Sequence, residues 1–257
     1  MIFRALFQRF GADRAEAAPR ITLDDWPDAV YAIGDVHGCL GLLRDLHDQI
    51  LADRSAQTKL IVMLGDYVDR GPDSAGVLDF LASPLPPGVR RICLAGNHEA
   101  MMLGFLSDPM RSGWLNLGGE ETLRSYQIDL DAFMSANLRV RQQMLHVAIP
   151  SDHLAFLRNL PVMLTLPGYV FVHAGLRHGV PLEQQTTNDL LWIREEFHDA
   201  VDRLPAGLFV TVHGHTPARE PILNPRRICV DTGAYVHGRL TAVRLRQGAT
   251  PELMFAR

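Results

Sequence analysis

Residues 65 to 71 read GDYVDRG, and this stretch decides how the rest of the chain is interpreted. Asp66, Asp69 and Arg70 crowd a short segment that has a glycine at each end. The five residues before it, 60 to 64, read LIVML and are typical of a buried strand. Ligands bind α/β sheets beyond the carboxyl ends of their strands, so charges gathered at a strand end indicate a ligand site.

Four other apolar runs end in similar polar clusters. A single Asp or His after a strand is usually a turn residue or a helix cap. Repeated clusters of Asp, His and Asn instead indicate a metal site, because these side chains bind first-row metals. About six candidate ligands exceed what one tetrahedral ion needs, which favours two metals that share a carboxylate. The four further clusters are GDVHG at 34–38, GNHE at 96–99, HAG at 173–175 and HGHTP at 213–217.

The order of apolar runs and helical patterns is typical of an α/β protein. Apolar spacing over 42–50 predicts a helix after the first strand, and Pro72 is expected in the first turn of a second helix. Ser151 is expected to cap a helix that Pro161 ends. Strands are predicted at 29–33, 60–64, 91–94, 162–166, 169–172, 208–212, 228–230 and 240–245.

The domain organisation is expected to be simple. Residues 1–19 are predicted to be a flexible N-terminal extension, and residues 20–257 a single domain. Residues 101–160 are expected to form a helical insertion within that domain. Arg4 interrupts the apolar N-terminus, so a signal peptide is not expected, and no apolar run reaches the ~18 residues of a membrane span.

Composition and charge exclude some classes of partner. The net charge of −4 gives no basic stripe, so long nucleic acid is not an expected partner. The three cysteines are far apart and odd in number, which argues against a disulfide framework. They favour a reducing compartment, and a cytoplasmic location is therefore expected.

The five motifs, in this order, resemble those of the phosphoprotein phosphatase family of calcineurin-like metallophosphoesterases. The similarity is greatest to its bacterial and phage serine/threonine phosphatases, and it extends to LLWIR at 190–194 and VDTGA at 230–234. The resemblance implies a four-layer αββα sandwich of two mixed sheets flanked by helices. The helical insertion at about 101–160 would then form a cap over the site.

The resemblance also implies a role for individual residues. Two divalent ions are expected, Mn²⁺ first, with Fe, Zn or Ni as alternatives, and Asp66 would bridge them. His98 resembles the general acid and Asp69 its partner, while Arg70 and Arg194 resemble the arginines that bind phosphate. His213 is expected either to support the ligand His215 from behind or to pack within its strand, and Asp231 either supports the site or caps a turn. The implied metal ligands are Asp35, His37, Asp66, Asn97, His173 and His215.

The implied activity is that of a serine/threonine phosphoprotein phosphatase. It would hydrolyse phosphate monoesters of phosphoproteins or small phosphoesters by in-line attack of a metal-bound hydroxide, with His98 protonating the leaving oxygen. The alternative is a symmetrical dinucleoside-tetraphosphate hydrolase or another nucleotide pyrophosphohydrolase. Those enzymes typically have Ala where this chain has Asp69 and Asp where it has Glu99. A non-enzymatic scaffold is disfavoured because all the implied ligands are present.

Overall fold

The computed structural model describes residues 18–110, 113–201 and 209–257. Most of the expected N-terminal extension, residues 1–17, lies outside this range. The described strands are β1 (Arg20–Thr22), β2 (Ala29–Ile33), β3 (Lys59–Met63), β4 (Val89–Cys93), β5 (Met163–Leu166), β6 (Tyr169–Val172), β7 (Val210–His213), β8 (Ile222–Leu223), β9 (Arg227–Cys229), β10 (Leu240–Leu245) and β11 (Glu252–Ala256).

The described α-helices lie between and after these strands. They are α1 (Leu40–Ala52), α2 (Ser74–Ala82), α3 (Asn97–Ser107), α4 (Gly119–Ser125), α5 (Leu130–Ser135), α6 (Leu138–Ala148), α7 (Ser151–Arg158), α8 (Thr187–Trp192), α9 (Glu195–Val201) and α10 (Ala234–His237). None of them is both long enough and apolar enough to cross a membrane.

Two mixed sheets are formed by the strands. The first has the order β11-β10-β2-β3-β4, in which β2, β3 and β4 are parallel neighbours. The second has the order β1-β5-β6-β7-β9-β8, in which β6, β7 and β9 are parallel. The carboxyl ends of parallel neighbours lie at the same edge of a sheet. The loops after β2, β3 and β4 therefore meet at one edge, and those after β6 and β7 meet at another.

The strands are apolar on both faces because both faces are covered. In β2, Val30 and Ala32 pack between the two sheets, whereas Tyr31 and Ile33 pack toward the helices. This alternation follows from the two-residue period of a strand. Helix α1 covers the outer face of the first sheet, and α8 and α9 cover that of the second. The predicted αββα sandwich of two mixed sheets is thus confirmed.

Helices α4 to α7 occupy the predicted insertion, in which α4 and α7 pack against α2, and α7 also packs against α3. Their buried residues belong to the same hydrophobic cluster as the outer face of the first sheet. Within this cluster Phe105 lies 4.8 Å from Trp114 and 6.1 Å from Phe133, measured between ring centroids. The insertion and the first sheet therefore share one core.

Several sequence-based boundaries are wrong. Helix α2 begins at Ser74 rather than at Pro72, because Asp73 is the N-cap and its side chain accepts the Gly76 N–H at 2.8 Å. Ser151 is the first residue of α7, and Pro150 holds the N-cap position expected for Ser151. The strand predicted from residue 208 is described from Val210, and residue 208 lies outside the described range. Strands β1, β8 and β11 are not predicted from the sequence.

Candidate active site

Asp66 lies at the centre of a buried cluster formed by the loops at the strand ends. Two groups of side chains there could each hold a metal ion, and Asp66 belongs to both. We call His37, Asp66 and His98 the first donor group, and Asp66, His173 and His215 the second donor group. The potential ligand atoms within each group lie within 4.8 Å of one another.

The tautomers of two histidines leave Nε2 unprotonated, which is the form that can bind a metal. His37 Nδ1 is 2.8 Å from the Val68 carbonyl oxygen, and His173 Nδ1 is 2.8 Å from that of Leu64. A carbonyl oxygen only accepts, so each Nδ1 carries the proton and each Nε2 presents a lone pair. Both Nε2 atoms face Asp66, at 3.6 Å from Oδ2 and 3.4 Å from Oδ1 respectively. Metal-binding histidines in proteins are oriented in this way.

Beside the second donor group, the lone pair of His173 Nε2 faces the amide oxygen of Asn97. His173 Nε2 lies 2.9 Å from Asn97 Oδ1 and 3.1 Å from His215 Nδ1. The remaining nitrogen of His215, Nε2, is buried and has no hydrogen-bond partner in the part of the chain that the structure describes. Two acceptors at 2.9 Å repel each other unless a cation lies between them. The residues present therefore fit a bound metal ion.

Buried carboxylates give a second reason to expect cations. Burial and repulsion from Asp231 and Asp66 raise the pKa of Asp35 well above its usual value. Burial likewise raises the pKa of Asp231 to about 6. Asp231 Oδ1 accepts the Gly233 N–H at 2.9 Å, so Asp231 caps a turn and also lies beside Asp35. Positive ions would relieve the repulsion among these carboxylates.

Every histidine of the donor groups except His98 is held neutral by burial. Burial lowers the pKa of His37 to about 3 and lowers those of His173 and His215 as well. A neutral imidazole is the form that binds a metal. His213, on β7, is also buried, with a pKa lowered to about 3 by burial, and its ring packs against Phe197 at 5.2 Å. It packs behind the site, as expected.

His98 differs from these histidines because its Nδ1 meets a carboxylate. The distance from His98 Nδ1 to Asp69 Oδ2 is 2.6 Å, and both side chains are buried. We call these two residues the acid pair. Burial alone would lower the pKa of His98, but attraction to Asp66 and the bond to Asp69 outweigh it and raise that pKa above 6.5. His98 can therefore hold a proton that His37 cannot.

The two predicted phosphate-binding arginines lie in different surroundings. Arg70 Nη1 is 3.1 Å from His37 Nε2, and Arg70 Nη2 is 2.9 Å from His98 Nε2. Its guanidinium also lies over the ring of Tyr235, 4.9 Å from the centroid. Arg194 is exposed, but its charge contributes to the lowered pKa of His173 and His215. Arg70 thus contacts both His37 and His98, and Arg194 lies near the second donor group.

Several residues in these loops have a positive φ, which is unusual for residues other than glycine. Residues other than glycine rarely adopt the left-handed region, and each instance costs about 1–3 kcal/mol. Such conformations concentrate at functional sites, where the surrounding structure enforces them. Five of the predicted site residues adopt it, namely His37 (φ 44°), Asp66 (52°), Asp69 (74°), Arg70 (67°) and His215 (67°).

Sequence reasoning missed the structural role of Glu99. Its carboxylate accepts the backbone N–H groups of Asp66 at 2.9 Å, Tyr67 at 2.7 Å and Gly96 at 2.8 Å. The glutamate thus ties the GDYVDRG loop to the start of α3. The sequence did contain a signal for this role of Glu99, because Gly96 and Glu99 have the spacing of a capping box before a helix. The contacts of Trp114 and Thr122 with Asp69 had no such signal.

Two mixed sheets with potential metal ligands grouped at their strand ends suit a metal-dependent hydrolase. The calcineurin-like phosphoesterase family matches residues 29–247, and the chain belongs to this family. It is therefore a hydrolase that acts on phosphoesters. The predicted family resemblance is confirmed.

The relatives of the chain carry two kinds of name. Serine/threonine-protein phosphatase 1 of Salmonella typhimurium is 28% identical over 237 residues, which cover 90% of this chain and 98% of the relative. A symmetrical bis(5'-nucleosyl)-tetraphosphatase of Aromatoleum aromaticum is 33% identical over 155 residues, 59% of this chain and 45% of the relative. A solved protein serine/threonine phosphatase from Saccharomyces cerevisiae shares the fold, with a TM-score of 0.60 at 15% identity, over 93% of this chain and 83% of that one.

Proposed function

We propose that this protein is a dinuclear-metal serine/threonine phosphoprotein phosphatase. The observation that carries the proposal is the 2.6 Å contact between His98 Nδ1 and Asp69 Oδ2, with His98 Nε2 only 3.9 Å from Asp66 Oδ2. Hydrolysis of phosphoserine expels an alkoxide, which is a strong base and needs a proton as it leaves. Cleavage of a dinucleoside polyphosphate expels a phosphate group, which is a much weaker base. An acid pair beside the donor groups suits the first reaction better.

The donor groups would hold two divalent cations, Mn²⁺ first, with Fe, Zn or Ni as alternatives. The proposed ligands are the six named above, with Asp66 shared. Their tautomers, facing lone pairs and crowded carboxylates support this assignment. Cations of this kind would lower the pKa of a bound water molecule, which would supply the nucleophile. They would also neutralise negative charge on the phosphate.

The remaining residues would bind phosphate and deliver the proton. Arg70 and Arg194 would each offer a planar fork of N–H donors that matches two phosphate oxygens. His98 Nδ1 is engaged with Asp69, so the proton for the leaving oxygen would come from Nε2. Asp69 stabilises the positive ring before that transfer. General acid catalysis of this kind contributes about 10²–10⁴-fold to the rate.

The second candidate is hydrolysis of a symmetrical dinucleoside tetraphosphate. The observation in its favour is the 33% identity to a relative of that name. Hydrolysis of this nucleotide would use the same proposed metal ligands. It would depend less on the acid pair, because its leaving group is a weaker base.

A direct comparison of substrates tests the proposal. The Mn²⁺-loaded protein would be assayed with phosphoserine, phosphothreonine and phosphotyrosine peptides and with diadenosine tetraphosphate. We expect the highest kcat/KM on the phosphoserine or phosphothreonine peptides. A higher kcat/KM on diadenosine tetraphosphate would favour the second candidate, and a preference for phosphotyrosine would reject the serine/threonine assignment. Bound Mn²⁺ without hydrolysis of any substrate would indicate a scaffold.

A further inference from the structure

Among the described residues, the carboxylate of Asp69 has two hydrogen-bond partners besides His98, and both come from the helical insertion. Trp114 Nε1 donates to Asp69 Oδ2 at 2.7 Å, and Thr122 Oγ1 donates to Oδ1 at 2.7 Å. All three side chains are fully buried. Oδ2 is therefore shared between Trp114 and His98, while Oδ1 is held by Thr122. Rotation of the carboxylate would break these bonds, so its orientation toward His98 is set from outside the loop.

The insertion also holds the backbone of the same loop. Thr122 Oγ1 accepts the Asp69 N–H at 2.8 Å, and the Gly118 carbonyl accepts the Arg70 N–H at 3.1 Å. These two amides belong to consecutive residues in the left-handed region, with φ of 74° and 67°. The contacts therefore stabilise a backbone that Asp69 and Arg70 rarely adopt.

Two glycines allow the insertion to come this close. Gly118 has φ of 113°, and a Cβ atom there would lie 2.7 Å from the Arg70 nitrogen. A Cβ atom on Gly119 would lie 2.5 Å from the Trp114 ring. Any larger residue would push the loop or the indole away. The stretch WLNLGG, at 114–119, thus fits against the loop that carries the acid pair.

We infer that Trp114 and Thr122 are positioning residues which, through Asp69, orient His98 toward the oxygen that leaves the phosphate. The inference rests on the proposed function, because it requires His98 to be the general acid. It gives the insertion a part in the reaction that no residue of the strand-end motifs supplies. Loss of either donor lets the carboxylate turn and weakens proton delivery, while the donor groups for metal stay in place.

Conservative variants separate this role from simple packing. Trp114→Phe keeps an aromatic ring against Phe105 and removes the N–H donor together with part of the indole volume. Thr122→Val removes the hydroxyl at nearly equal volume, and Thr122→Ser keeps it. Trp26→Phe is the matched control, because the indole of Trp26 donates to the Pro167 carbonyl at 3.1 Å, outside the site.

The first test compares two esters that differ in their leaving group. Phenyl phosphate needs a proton on its leaving oxygen more than p-nitrophenyl phosphate does. For Trp114→Phe and Thr122→Val we expect kcat/KM to fall about 10-fold or more on phenyl phosphate and clearly less on p-nitrophenyl phosphate, since full loss of an acid costs about 10²–10⁴-fold. Thr122→Ser and Trp26→Phe should match the wild type. Equal losses on both esters, at equal Mn²⁺ content, would overturn the inference.

A second readout does not depend on turnover. The short bond between His98 Nδ1 and Asp69 should give a downfield proton resonance in the metal-free protein, absent in His98→Asn. We expect Trp114→Phe and Thr122→Val to shift this resonance and Trp26→Phe to leave it unchanged. A resonance that stays in place in both variants would contradict the inference.

His98→Asn distinguishes failure of the inference from failure of the proposed function. If it lowers kcat/KM equally on both esters, His98 is not the acid, and the inference falls with the proposed function. If His98→Asn lowers kcat/KM more on phenyl phosphate than on p-nitrophenyl phosphate, but Trp114→Phe and Thr122→Val lower it equally on both, the acid role stands. Only the positioning role is then rejected.

Discussion

His37 and His98 lie side by side in the first donor group, yet the two histidines have opposite properties. The rings of His37 and His98 are 4.7 Å apart, and both are buried. His37 Nδ1 donates to a neutral carbonyl, and burial lowers the pKa of this ring to about 3. His98 Nδ1 meets the carboxylate of Asp69, and its pKa is raised. In this site the partner of Nδ1 separates a histidine suited to bind metal from one suited to donate a proton.

The largest effect is expected from the residue shared by the two donor groups. Asp66→Asn keeps the shape of the side chain but removes its charge. We expect Mn²⁺ affinity to fall more than about 100-fold, because replacing residues that merely support metal ligands already costs about 10–100-fold. Turnover should fall to near background. Equilibrium dialysis with metal analysis, beside a phosphatase assay, measures both.

Asp48→Asn is the control for this charge change, because the Asp48 side chain is 81% exposed and lies outside the site. It should leave metal content and turnover unchanged. Wild-type Mn²⁺ affinity in Asp66→Asn would show that Asp66 is not a ligand.

A smaller effect is expected when the partner of His98 Nδ1 is made neutral, as the partner of His37 Nδ1 already is. Asp69→Asn gives His98 a neutral partner, so the pKa of His98 should fall. A nearby opposite charge shifts a pKa by about 1–3 units. The proton donor is lost as pH rises through the pKa of His98, so the alkaline limb of kcat/KM should move at least about one unit lower. A pH profile on a phosphoserine peptide measures the shift.

The structure offers a matched control for this variant. Asp79 Oδ1 lies 3.0 Å from His153 Nε2, a second aspartate–histidine contact away from the donor groups. Asp79→Asn should leave the alkaline limb in place. An unmoved limb in Asp69→Asn would show that Asp69 does not set the pKa that governs the reaction.

The smallest effect is expected on the pH dependence of stability, and it comes from the burial of His213 in its neutral form. His213 has a pKa of about 3, whereas an unfolded histidine has one of about 6.5. Below pH 6.5 the unfolded chain binds the extra proton, so the free energy of unfolding falls as pH falls. Between pH 7.5 and 5.5 the wild type should lose about 1 kcal/mol relative to His213→Gln.

Urea unfolding of the metal-free proteins at the two pH values measures this difference. His146 is exposed, and His146→Gln should retain the pH dependence of the wild type. Equal pH dependence in His213→Gln and the wild type would contradict a buried neutral His213.

The central strands were predictable because they are continuous apolar runs. The bounds of β2, β6 and β10 agree with the prediction to the residue. The edge strands β1, β8 and β11 were not predictable, because β1 and β8 are only 3 and 2 residues long and β11 is mostly half-exposed. Such strands are defined by hydrogen bonds to a neighbour rather than by their own composition.

The candidate site was predictable to a similar degree. All six proposed ligands follow the carboxyl ends of strands, and the family resemblance of these short motifs was enough to group them in the prediction. Trp114 and Thr122 lie 45 and 53 residues from Asp69 in the chain, and no local pattern relates them. Packing of the insertion against the first sheet creates those contacts.

By itself the sequence determined the family and proposed the set of side chains that would bind metal and phosphate. These properties follow from residue type and from short motifs at strand ends, which act locally. Only the tertiary structure decided the tautomers, the burial of His37 and His98 and the partner that each Nδ1 meets. Those features depend on backbone and side chains distant in the chain, and they set which imidazole stays neutral and which can carry a proton.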